Sequence, residues 1–179
     1  MFKPLSLQGE YTLCSSLDPA LDLPDAPEID LETATPEEIA AHDKISKERE
    51  GKLRVAQNTG NWPEITKHGQ SPTMFRFRQI HGPLLTWLQG EITRNNLTDD
   101  EGFELAFRLA LEGVDNFGKV KTDFVARGRH RLAGEKIMAR LYDVGRDPEM
   151  NQPLLGRFIV LELGALVLTR AVQGVRPLS

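Results

Sequence analysis

Seven basic side chains crowd the stretch from Lys119 to Arg140. They are Lys119, Lys121, Arg127, Arg129, Arg131, Lys136 and Arg140, opposed there only by Asp123 and Glu135. Guanidinium forks pair with phosphate or with carboxylate, so such density suits either a nucleic acid backbone or an acidic protein segment. The tightest part is Arg127-Gly128-Arg129-His130-Arg131. The chain also carries a natural counterpart. Residues 1–35 hold one base, Lys3, against Glu10, Asp18, Asp22, Asp25, Glu28, Asp30 and Glu32. The whole sequence sums to only -4, which gives no global pull toward nucleic acid or an anionic membrane.

Other chemistry finds less support. His42, His68, His81 and His130 lie at none of the short spacings that hold a metal on one helix or turn, and no cysteine pair exists to bind zinc. The single cysteine, Cys14, sits in the acidic region, where nothing lowers its pKa for nucleophilic attack. It also speaks for a reducing, cytoplasmic setting. No phosphate-binding glycine loop, dinucleotide fingerprint or nucleophile elbow is present. The expectation is therefore a non-enzyme with no metal and no cofactor. Phe75 and Phe77 alternate with Arg76 and Arg78, a pattern that can stack bases, but two phenylalanines on one strand face more naturally make core.

These residues must be positioned by a mainly helical domain with a minor β component. Composition draws the domain as residues 35–179, preceded by an extended acidic arm over residues 1–34. Leu5, Leu7, Tyr11 and Leu13 suggest short extended segments around Gln8-Gly9-Glu10. Residues 18–35 mix acids, three prolines and isolated leucines, too little apolar surface to fold alone. That stretch is either disordered or a strap whose leucines and isoleucine drop into grooves. Thr35-Pro36-Glu37-Glu38 starts a helix reaching about Val55. A strand follows over Thr73–Ile80, then a helix from Gly82 to about Arg94. Thr98-Asp99-Asp100-Glu101 caps a helix whose stripe of Phe103, Ala106, Phe107, Ala110, Leu111 and Val114 carries it to Asn116. Residues 119–133 stay unassigned. Gly134–Val144 reads as a helix. Pro153–Gly174 reads as a last helix, with two buried strands over Phe158–Thr169 as the competing reading; Arg157, Glu162 and Arg170 argue against a membrane span there.

The opening Phe2-Lys3-Pro4-Leu5-Ser6-Leu7-Gln8-Gly9-Glu10-Tyr11-Thr12-Leu13 and the later Pro72-Thr73-Met74-Phe75-Arg76-Phe77-Arg78 resemble small tailed-bacteriophage morphogenesis proteins, of the tail-assembly chaperone and neck or connector kinds. That resemblance implies a small assembly protein working through surfaces, in the host cytoplasm or the virion. Together with the charge division it gives the functional expectation: a protein–protein component of a larger assembly, a homo-oligomer or a partner of other subunits. Leu21, Leu23 and Ile29 are the expected arm anchors, and Arg127, Arg129 and Arg131 the expected receivers. The alternative is a nucleic-acid-binding regulator using residues 119–140.

Overall fold

The computed structural model describes residues 9–24, 29–30, 33–117, 123–143 and 154–173. Helices hold 56% of them, and two small antiparallel sheets make the chain mixed α/β rather than purely helical. Two compact units emerge, one from residues 16–72 and one from residues 1–15 with 73–179. The compositional break at 34/35 falls inside the first of these.

The 16–72 unit is built on α1, Pro36–Thr59. Thr35 caps it as its sequence requires. Its hydroxyl accepts from the Glu38 amide, and the Glu38 carboxylate accepts from the Thr35 amide at 2.8 Å. The helix closes at Gly60, whose positive φ of 73° is the left-handed conformation of a helix stop. A single 3-10 turn, Trp62–Ile65, then packs back on α1. Of the 24 helical residues only Leu53 and Ala56 are buried.

The second unit centres on a three-stranded antiparallel sheet. β1 is Glu10–Leu13, β2 is Met74–Arg78 and β3 is Leu111–Asp115, with β2 in the middle. Phe75 and Phe77 point to the core as alternation demands, opposite Leu13 and Tyr11 on one side and Val114 and Leu111 on the other. Above them lies α3, Asp99–Ala110, whose Phe107 meets both phenylalanine rings edge-on at 5.8 and 5.4 Å. α2, Gly82–Arg94, occupies its expected span and buries Leu85, Leu88 and Glu91, with Leu84 and Ile92 half-buried.

Two assignments change. The helix from Thr98 stops at Ala110, not Asn116. Leu111 turns extended (φ -60°, ψ 126°) and the chain enters β3 with no loop. Leu111 and Val114 keep a helical spacing, and in the strand a bulge in the pairing with β2 sets them opposite Phe77 and Phe75. The unassigned stretch contains a hairpin: β4, Phe124–Arg127, and β5, His130–Ala133. Gly128 (φ 62°) takes the first of two loop positions, as a type II′ turn requires. α4, Glu135–Tyr142, follows, its first turn capped by Asp123, which accepts from the Ile137 amide at 2.8 Å.

The last element, α5, Leu154–Gln173, is one helix, so the two-strand alternative fails. Its contact with α3 is the most extensive in the molecule. Gly164 makes this possible, and Gly156 allows the same close approach to α4. A Cβ at Gly164 would overlap the Phe103 carbonyl, and one at Gly156 the Leu141 carbonyl. Among the described residues no helix is long and apolar enough to cross a membrane.

Candidate interaction surface

The arginines that the sequence groups together are separated by the hairpin that carries them. In the register, Arg127 pairs with His130 and Ala126 with Arg131. Residues directly opposite share a face and neighbours alternate, so Arg127 and Arg131 project from opposite faces. Each meets a carboxylate of its own unit. Arg127 bridges to Glu91 of α2 at 2.8 Å, and Glu91 is buried. On that face His130 also lies against Trp87, ring centroids 4.7 Å apart. Arg131 pairs with Glu112 of β3 and sits 4.2 Å over the Phe124 ring. Arg129 stands exposed at the turn. The expected receivers therefore form no single basic surface, and two of the three are paired with carboxylates that they share with Arg94 and Arg78. Lys119 and Lys121 lie outside the described residues.

The expected arm anchors also find places. Leu21 is buried and makes an isolated β-bridge to Thr66. The Asp22 amide donates to the Ile65 carbonyl at 2.8 Å, and the Lys67 amide to the Ala20 carbonyl at 2.9 Å. Arg49 of α1 donates to the carbonyls of Pro24 and Ser16, both at 3.1 Å, and Lys67 Nζ to that of Pro19. Residues 16–24 are thus a strap on their own unit, held by Arg49 and Lys67 through backbone oxygens. Leu23 and Ile29 are half-buried. Leu5, Leu7 and Leu31 lie outside the described residues.

An open hollow of about 490 Å³ is lined by Glu10, Arg78, Gln79, His81, Glu112 and His130. Its composition suggests chemistry, but Arg78 and Glu112 are committed. Arg78 donates to the Leu109 carbonyl from two nitrogens, at 2.9 and 2.6 Å, and to the Arg131 carbonyl at 2.8 Å. Glu112 faces both Arg78 and Arg131. Among the described residues there is no metal-holding group of His, Cys, Asp and Glu, and no buried side-chain polar atom lacks a partner. Cys14 is fully buried.

The surface that sequence reasoning missed lies on α5. Its buried side is Ile159, Val160, Leu163, Val167 and Ala171, against the rest of the unit. A second stripe runs Phe158, Leu161, Ala165, Leu168, Val172, at alternating spacings of three and four residues. Phe158 and Val172 are 55% and 44% exposed, and the three between them are half-buried. No charged residue interrupts this stripe. The three charges of α5 are engaged elsewhere: Arg157 with Asp100, Glu162 with the Ser15 hydroxyl, and Arg170 over the Tyr11 ring at 4.8 Å. Burial pushes the Tyr11 hydroxyl up to about 12, with Arg170 pulling the other way. The signal was present in the sequence, as a helix whose apolar residues run well beyond the one side that burial needs. Comparison with protein-family models, with curated proteins and with solved structures gave no match.

Proposed function

We propose that the chain is a non-enzymatic interaction component of a larger assembly, and that the outer stripe of α5 is the surface through which it acts. One observation supports this above the rest: the helix buries a full side in its own unit and still presents Phe158, Leu161, Ala165, Leu168 and Val172 with no charge among them. Isolated exposed apolar residues need no explanation, whereas a contiguous uncharged stripe marks a surface that another molecule covers. The heptad-like spacing fits a helical seam, in which alternate steps of three and four keep one face toward a partner.

This reading keeps the class of function that the sequence suggests and moves its site. Affinity comes from α5 rather than from an acidic arm laid across arginines, because Arg127 and Arg131 hold Glu91 and Glu112 instead. The resemblance to tailed-phage morphogenesis proteins names the setting in which to look: a phage-encoded subunit acting in the host cytoplasm or the virion.

The test is site-specific photo-crosslinking in cells producing the protein. A benzophenone amino acid at Phe158 is expected to give a discrete adduct of higher mass. The same group at Lys136, exposed on α4, is expected to give none. Absence of any adduct at Phe158, or equal labelling at both positions, would remove α5 as the working surface.

A further inference from the structure

A second surface, independent of α5, lies on the β4–β5 hairpin. The Gly134 amide donates to the Asp123 carbonyl at 2.9 Å, and this bond fixes the phase of the ladder. Pairs in an antiparallel ladder alternate between bonded and non-bonded. Asp123, Val125 and Arg127 therefore turn their peptide groups toward β5, while Phe124 and Ala126 turn theirs outward. On β5 the outward residues are Arg131 and Ala133. Their carbonyls accept from Arg78 at 2.8 Å and from Arg108 at 3.0 Å, so that edge is closed. On β4 the edge is open. Among the described residues β5 is its only neighbour, and no backbone hydrogen bond leaves Phe124 or Ala126 on the far side. The common guards of an exposed edge are a charge, a proline or a bulge. Phe124, Val125 and Ala126 offer none of these, the register is regular, and Val125 stands 44% exposed.

We infer that β4 is a docking edge, which takes an extended acidic segment of a partner protein as a third, antiparallel strand. Ladder bonds to Phe124 and Ala126 supply the affinity, and charge sets the direction. The charge gathers at the turn. Glu91 is shared by Arg127 and Arg94, and Glu112 by Arg131 and Arg78, so two carboxylates face four guanidinium groups. Arg129 adds another, exposed at the tip. A second β4 would bring no carboxylate to meet them, since its neighbour Asp123 already accepts from the Lys136 and Ile137 amides at 3.3 and 2.8 Å. Arg127 and Val125 share a face, so the partner residues opposite them are also two apart on one face. In an antiparallel partner the residue facing Arg127 comes first. The recognised pattern is an acidic residue, any residue, then an apolar β-branched one.

Fluorescence anisotropy of a labelled octapeptide with the purified full chain provides the test. The probe alternates with threonine, carrying two glutamates in its N-terminal half and two valines in its C-terminal half. Saturable binding is expected. The reversed peptide, identical in charge and composition, should bind at least about tenfold more weakly, and so should the probe methylated on its threonine nitrogens, which are the ones that face β4. Ala126→Pro removes an outward N–H and leaves the bonds to β5 in place. It should abolish binding with a denaturation midpoint close to that of the wild type. Arg129→Glu, at the exposed turn, should weaken the probe by about tenfold at low salt, and the same octapeptide with lysine for glutamate should bind that variant in its place. This second variant decides the matter if Ala126→Pro does not fold.

Absence of saturable binding would remove β4 as a docking edge. Equal binding of the reversed or methylated peptide, or indifference to Arg129→Glu, would reduce the contact to unspecific attraction and overturn the inference as well. A sedimentation mass near twice the chain, returned to that of one chain by Ala126→Pro, would make a second copy the occupant and exclude the acidic partner. None of these results bears on the crosslink at Phe158, so the two surfaces stand or fall separately.

Discussion

The two longest helices, α1 and α5, are opposites in what they show to water. α1 spans 24 residues and buries two, and its exposed surface is mostly charged. Its stability draws on the Thr35–Glu38 capping box and on surface pairs such as Glu48 with Lys52 at 2.8 Å. α5 spans 20 residues and is apolar nearly all round. Its inner side is consumed by α3 and α4, yet Phe158, Leu166 and Val172 remain exposed. Burial of apolar area is worth about 25 cal/mol per Å². Water therefore leaves α1, apart from the exposed Val55, satisfied and α5 with more free energy still to gain. The difference separates a helix that is finished by solvent from one that is finished by contact.

The same substitution in each helix sharpens that contrast, and the larger effect is on α5. Gly164→Ala adds a methyl group where the Phe103 carbonyl already sits. Alanine is the better helix former by about 1 kcal/mol, but forcing packed backbones apart costs up to about 3 kcal/mol. Net destabilisation of about 2 kcal/mol is expected, read as a lowered denaturation midpoint for the unit. An unchanged or raised midpoint would mean that α3 and α5 do not approach this closely.

A second effect on the α5 side is a pH dependence. The chain has two tyrosines, Tyr11 against Arg170 and Tyr142 in α4. Burial raises Tyr11 to about 12; burial first, then a hydrogen bond to Glu104, raises Tyr142 further. Unfolded tyrosine ionises near 10. The folded state thus holds its phenolic protons more tightly. The associated stability is complete below pH 10 and is lost as pH climbs from 10 through about 12. Native protein at pH 10 should show almost no phenolate absorbance, while the chain unfolded in guanidinium should be about half ionised. A native titration centred on 10 would show that these side chains are not packed as described.

How far the sequence alone carries depends on whether a feature is local. Thr35 and Thr98 cap their helices within four residues, and both helix starts are legible. So is β2, because Phe75 and Phe77 alternate with arginines. The end of α3 is not, since Leu111 and Val114 continue the helical spacing and only a bulged pairing with β2 draws them into a strand. The hairpin hid behind its charges: Arg127, Arg129 and Arg131 drew attention to phosphate chemistry, while Gly128 between them marked a turn. Their division between Glu91 and Glu112 depends on distant elements, and no spacing along the chain reveals it. Leu21 was legible as a side chain that the arm would bury, but its place beside Thr66 of its own unit was not. The outer stripe of α5 was written in the sequence and concealed by ambiguity, because an all-apolar helix reads the same whether its last face is covered by its own chain or by another.

The smallest effect tests the α1 side. Gly51 lies inside this helix with nothing within 4 Å of where a Cβ would stand. Here Gly51→Ala meets open space, so only the backbone term remains, about 0.8 kcal/mol in favour of the helix. Amide hydrogen exchange across Leu53 to Gln57 should slow by about fourfold, because those amides exchange through local opening of α1 and the substitution stabilises the closed form by that amount. Gly51→Ala and Gly164→Ala then move stability in opposite directions from an identical chemical change. A loss of protection around Gly51 would mean that this part of α1 is pressed against something after all, and the contrast between a solvated helix and a contact helix would no longer hold.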